Sequence, residues 1–204
     1  MKDIKNNEQV IQDIIDLFTK LGPEMHCKSD LISTEIVKEN LTKLGFDYGF
    51  ESRPNKIESE FLFDFTWYKK SNNEFQSIES VALILESEWK MNFTQIKYDF
   101  EKLLIANVQF KVIVFQADDV FENITIKLKN IINSFNCIDT NVYIFAGFVN
   151  SIGNFQVETY IKKLSNNCFN LIIPFVMKIA VATLGNFHAN PSLRSGRNYR
   201  LSKC

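Results

Sequence analysis

Glycine and histidine are scarce in this chain, and their scarcity excludes several kinds of chemistry at once. Seven glycines in 204 residues leave no G-x-x-x-x-G-K-[ST], no G-x-G-x-x-G and no G-x-S-x-G. ATPase, dehydrogenase and serine-hydrolase readings therefore lack their phosphate-cradling loops or nucleophile elbow. Two histidines, His26 and His188, cannot build a multi-histidine zinc centre, and each reads as a loop or cap residue. Four cysteines, Cys27, Cys137, Cys168 and Cys204, lie far apart with no C-x-x-C. With an N-terminal MKDIKNNEQ that has no apolar stretch of the secretory kind, they point to a reducing cytoplasm. No apolar run reaches the ~20 residues of a membrane span. The longest, LIIPFVMKIAVATL at 171 to 184, is broken by Pro174 and Lys178 and is expected in the core, so no membrane partner is expected. Nor is there an excess of charge: the net value is −1, although carboxylates of a cation site count as negative until the cation arrives. Only the last eleven residues, RSGRNYRLSKC, with Arg194, Arg197, Arg200 and Lys203 and no acid, form a cationic tail suited to a phosphate backbone.

What is plentiful is bulky apolar side chain, including 19 phenylalanines. A chain of this length forms one domain over residues 1–204 and buries roughly 70% of its unfolded surface without a disulfide or metal staple. Val10, Ile11, Ile14, Ile15, Phe18 and Leu21 predict an amphipathic helix stopped by Gly22 and Pro23. A second helix starts at Ser29 or Asp30 and closes at Gly45. Two strands follow, over 58–68 and 79–89, joined by the turn-rich KKSNNEFQ and pairing antiparallel. NFTQIKYDFEKLLIAN predicts a helix, KVIVFQ a buried strand, the stretch from Ile124 to Phe135 another helix, NVYIFAGFV another buried strand and NFQVETYIKK an alternating one. The order describes an α/β fold whose mixed central sheet, an antiparallel meander plus a crossover strand, is flanked by helices.

Strand alternation singles out one place. Along the first strand Phe61, Phe63, Phe65 and Trp67 share a face, leaving Leu62, Asp64, Thr66 and Tyr68 on the other. Along the second, in VALILESEWK, Ala82 and Ile84 share a face with Glu86, Glu88 and Lys90, so that face starts apolar and turns ionic. Pairing of the strands puts Asp64 with these acids, and Tyr68 points the same way. Asp64 opposite Glu86 requires a turn centred near Phe75, whereas a turn on Asn72 and Asn73 sets it opposite Val81. Semi-buried carboxylates repel one another unless a cation lies between them. Oxygen ligands of this kind suit Mg²⁺ or Mn²⁺, and a lysine beside them can orient water and stabilise charge on a phosphate. Phosphodiester hydrolysis fits that set. A solvated strand end carrying surface ion pairs is the plain alternative.

Asp64 in FLFDF, the acids and lysine of LILESEWK, the helix YDFEKLL and the strand KVIVF together resemble the PD-(D/E)XK nuclease superfamily of restriction-endonuclease-like folds. The resemblance spans about residues 30–116, with 117–193 as C-terminal additions and 194–204 as the basic tail. It implies a Mg²⁺- or Mn²⁺-dependent endonuclease acting on nucleic acid, DNA above all, with room for a homodimer. Asp64, Glu86 and Glu88 are then metal ligands and Lys90 the motif lysine. In an alternative alignment Glu86 is the motif acid and Glu88 stands in the lysine position. Under either alignment, the helix glutamate that joins some sites of this superfamily would be Glu35 or Glu39. Phe63 stands where the motif has proline, and Gln95 and Tyr98 are three apart rather than four, unlike the RecB-like branch. A binding or assembly protein that keeps this fold without turnover is the rival expectation.

Overall fold

The computed structural model describes residues 7–25, 27–54, 59–135 and 140–162. The chain divides into two compact units, Met1–Cys168 and Phe169–Cys204. Every described residue belongs to the first, so the 171–184 run, both histidines and the basic tail lie outside the described residues.

Helix α1, Asn7–Met25, buries Val10, Ile11, Ile14, Phe18 and Leu21 on one face, as their spacing predicts. It does not stop at Gly22 and Pro23 but runs through both. Pro23 falls in the last turn, where its missing N–H forgoes a single hydrogen bond. Gly22 is there for close approach: a Cβ on it would lie 1.9 Å from Asn154 Oδ1. Helix α2, Asp30–Asp47, is capped by Ser29, whose hydroxyl accepts the Ile32 N–H at 3.5 Å. It likewise passes through Gly45, where a Cβ would lie 2.5 Å from the Trp67 indole nitrogen. The glycine that releases the chain is Gly49, at φ 76°, whose N–H bonds the Phe46 carbonyl at 2.9 Å.

The strands are β1 (Glu51–Arg53), β2 (Phe65–Lys70), β3 (Ile78–Glu88), β4 (Phe110–Gln116), β5 (Val142–Val149) and β6 (Asn154–Ile161), and they form one sheet in chain order. β1, β2 and β3 are an antiparallel meander, β3, β4 and β5 run parallel, and β6 returns antiparallel. Helices α3 (Phe93–Ile105) and α4 (Phe121–Ser134) make the two parallel crossovers. The α/β class, mixed sheet and flanking helices expected from the sequence are all present.

Two apolar layers hold the helices to the sheet. On one face Phe65, Trp67, Leu83, Leu85, Val112 and Ile144 pack with α1 and α2. On the other Ile84, Ile113, Phe115, Tyr143 and Phe145 pack with α3 and α4. Each fully buried side chain of this size contributes about 1.5–3 kcal/mol by leaving water. β4 and β5 lie inside the sheet and are buried along almost their whole length, which is why both read as unbroken apolar runs.

The first predicted strand is shorter than its pattern. Leu62 has φ 64°, a left-handed conformation that interrupts the extended chain, so β2 begins only at Phe65. Phe61 is consequently 41% exposed and Phe63 packs with the α3/α4 layer. The single aromatic face expected over 61–67 holds only for Phe65 and Trp67.

Candidate functional site

The candidate site lies where β2 begins and β3 ends. Phe65 pairs with Leu85 and Thr66 with Ile84; the paired ladder begins there, and the same register continued one step back would set Asp64, which precedes β2, opposite Glu86. Farther along, the pairing slips between Trp67 and Tyr68 and again between Lys69 and Lys70. That slip carries Tyr68 away from the acids: it is buried, and its hydroxyl donates to Glu51 Oε2 at 3.2 Å.

Asp64 is fixed by one residue. Its Oδ2 accepts both the backbone N–H and the hydroxyl of Ser87, each at 2.8 Å. Ser87 faces α2, where its Oγ lies 3.5 Å from Thr34 Oγ1, and the Thr34 hydroxyl accepts the Trp89 indole N–H at 2.8 Å. Trp89 packs against the α1/α2 layer, so a short chain of polar contacts ties Asp64 to that helix.

Glu86, on the opposite face of β3, meets α3. It is 1% exposed, and its Oε2 accepts from the Lys102 ammonium at 2.8 Å. The same ammonium lies 2.8 Å from Asp99 Oδ1. Burial pushes the Glu86 carboxyl up to about 7; the hydrogen bond from Lys102 opposes that rise, while the charge of Asp64 adds to it. Burial alone would lower the Lys102 pKa, but its bonds to Asp99 and Glu86 outweigh that and raise it. Neither Lys102 nor Asp99 was singled out from the sequence. Their signal is the spacing Gln95, Asp99, Lys102, a polar stripe beside the buried Ile96, Phe100 and Leu103 of the same helix.

The other sequence candidates are not drawn into this cluster by their bonds. Glu88 is the last residue of β3, and its Oε1 accepts the backbone N–H of Lys90 at 2.8 Å. Lys90 lies beyond the strand and is exposed, so the alternation expected to bring it onto the acidic face does not reach it. Glu35 and Glu39 are exposed on α2, and Glu35 lies 3.8 Å from Lys38.

Among the described residues, no three Asp, Glu, His or Cys side chains form a cation-holding group by themselves. Mg²⁺ is often held by only one or two carboxylates, with waters and substrate completing its shell. The buried side-chain atoms without a hydrogen-bond partner include Thr66 Oγ1, Glu86 Oε1 and Gln95 Oε1. They come from β2, β3 and α3, the elements that meet around Glu86, and each is an oxygen. An unpaired buried carboxylate oxygen costs stability, and a hard cation or an ordered water would relieve it. The donor set thus fits Mg²⁺ or Mn²⁺.

Compared with models of known protein families, with curated proteins and with solved structures, the chain matches none. Among the described residues no helix is long and apolar enough to cross a membrane.

Proposed function

We propose that the chain is a metal-dependent nuclease that hydrolyses phosphodiester bonds, with DNA as the substrate implied by the PD-(D/E)XK resemblance. The observation that carries this reading is the buried Glu86 carboxylate, with one oxygen unpartnered, near enough to Asp64 to feel its charge. Asp64 and Glu86 are the residues that would hold Mg²⁺ or Mn²⁺. The helix, three-strand meander, helix and strand running from α2 to β4 follow the order of the superfamily core and support the same reading.

The β2–β3 register favours the alignment in which Glu86 is the motif acid and Glu88 occupies the lysine position. A bound divalent ion would polarise a phosphate oxygen and lower the pKa of its water. The chain's own residues supply the rest. Ser87 fixes the Asp64 carboxylate through two hydrogen bonds. Glu88, next on the same strand face, would take the proton of the attacking water as its oxygen bonds to phosphorus, while the leaving oxygen departs and takes a proton from solvent.

The rival reading, a binding or assembly protein without turnover, is favoured by one contact: Lys102 already neutralises Glu86 with no metal involved. Calorimetric titration with Mn²⁺ and a plasmid-nicking assay separate the two. The nuclease reading expects site-specific binding and nicking, both lost in Asp64→Ala protein whose circular dichroism is unchanged. Wild-type protein that binds no Mn²⁺ and cleaves neither DNA nor RNA leaves the non-catalytic reading standing.

A further inference from the structure

We propose, on the cation reading just given, that the Lys102 ammonium is the exchangeable counter-ion of this site. It holds Glu86 while no divalent ion is bound, and gives Glu86 up, remaining on Asp99, when one is taken up.

The argument begins with what Glu86 needs. A carboxylate that is 1% exposed cannot stay ionised without a positive partner, because the interior provides little solvation in place of water. Lys102 supplies one at 2.8 Å, but only to Oε2, and Oε1 stays without a partner. The ammonium is therefore a partial occupant of the position. A divalent ion shared by Asp64 and Glu86 would satisfy the carboxylate more completely, and its charge would repel an ammonium still bonded to the same group.

Lys102 also has somewhere to go. Asp99, one helical turn earlier, holds the same ammonium at 2.8 Å. That contact is internal to α3, so it survives the loss of the one across to β3. The Tyr98 ring, 5.6 Å from Nζ on the same helix, offers a further cation–π contact. The Lys102 side chain is 36% exposed, so release from Glu86 does not strand its charge in an apolar interior, and its four-carbon stem is flexible enough to turn. Asp99 thus acts as a positioning residue for Lys102 and touches neither the metal nor the substrate.

The test is calorimetric titration with Mg²⁺ alone at about pH 8.5, where protons compete little for a carboxylate. It compares the wild type, Asp64→Asn, Lys102→Met, Asp99→Asn and the Asp99→Asn/Lys102→Met double variant. Exchange predicts that Lys102→Met binds Mg²⁺ more tightly, on the order of tenfold. It predicts that Asp99→Asn binds more weakly, because Lys102 then rests on Glu86 alone, and that this effect vanishes when Lys102 is already absent. If Asp99 acted only through its own charge, its removal would weaken binding equally in both backgrounds. That result, or a Lys102→Met protein with unchanged or weaker affinity, overturns the exchange while leaving the cation site intact. Binding that is absent in the wild type, or unaffected by Asp64→Asn, overturns the cation reading and the exchange with it. Should circular dichroism show Lys102→Met to be unfolded, Lys102→Gln, which keeps a donor for Glu86 without the charge, takes its place under the same criteria.

Discussion

Asp64 and Ser87 are joined by two hydrogen bonds to one carboxylate oxygen, from the Ser87 N–H and from its hydroxyl, both at 2.8 Å. The backbone bond depends on strand register and the hydroxyl bond on the serine itself. Ser87→Ala should therefore leave Asp64 held by one bond instead of two, and should also remove the Thr34 contact. The expected loss of stability is about 1–2 kcal/mol, since the acceptor is charged and half-buried. Chemical denaturation measures it, and a change within a few tenths of a kcal/mol would mean that the hydroxyl bond contributes nothing. Metal affinity should weaken modestly rather than disappear, because the backbone bond still orients the carboxylate.

Leu62, two residues before Asp64, combines a φ of 64° with 79% exposure. The left-handed conformation costs a residue with a Cβ about 1–2 kcal/mol, and little burial offsets it here. Leu62→Gly should hold or raise the thermal midpoint, the relieved strain exceeding the extra freedom of the unfolded glycine. Leu62→Ile should lower stability by about 1 kcal/mol, because a β-branched residue tolerates positive φ least. Equal midpoints for the two variants would show that this φ relaxes in solution.

Glu86 makes a prediction about pH. Its folded pKa, about 7, is raised above the ordinary value of 4.5, so between those values the folded protein binds more protons than the unfolded chain. Its contribution to stability is then fully present below about pH 4.5 and is lost as pH rises through about 7, amounting to about 3 kcal/mol. Glu86→Gln, which keeps the shape and removes the charge, should flatten this part of the pH–stability curve and stabilise the protein at pH near 8. Denaturant midpoints at pH about 5 and about 8 for both proteins check it. An identical pH slope for wild type and variant would place the buried charge elsewhere. Millimolar Mg²⁺ should raise the wild-type midpoint near pH 8 and leave that of Glu86→Gln almost unchanged.

Much of this arrangement was legible in the sequence. Period-2 and period-3.6 apolar patterns located the four helices and strands β2 to β6, since burial of one face is what those patterns record, while the three-residue β1 is too short to show a period. Asp64 and Glu86 stood out in the sequence for a related reason: a charged residue continuing an apolar face is a local anomaly. Gly22 and Gly45 misled because glycine ends helices and also admits close neighbours. Which role applies depends on Asn154 and Trp67, distant in the chain. The break at Leu62 left no mark, because leucine is not a turn residue. Lys102 and Asp99 stayed hidden because a charged pair on a helix ordinarily faces water. Only the docking of α3 on β3 turns them toward Glu86.

Lys90 decides between the two alignments of the motif. It follows the end of β3, is exposed, and contributes its backbone N–H to the Glu88 carboxylate, a bond that alanine keeps. Lys90→Ala should therefore retain folding, metal affinity and any nicking activity within about twofold. Glu88→Gln should instead lower turnover by a factor on the order of 10²–10⁴ if its carboxylate takes the proton of the attacking water, with metal binding reduced far less than by Asp64→Ala. Single-turnover nicking with Mg²⁺ or Mn²⁺, read alongside calorimetry, separates the effects. Loss of activity in Lys90→Ala with metal binding intact would restore Lys90 as the motif lysine. Because the side chain starts outside the strand, the residues after Glu88 would then have to reorder around the bound substrate to bring it in.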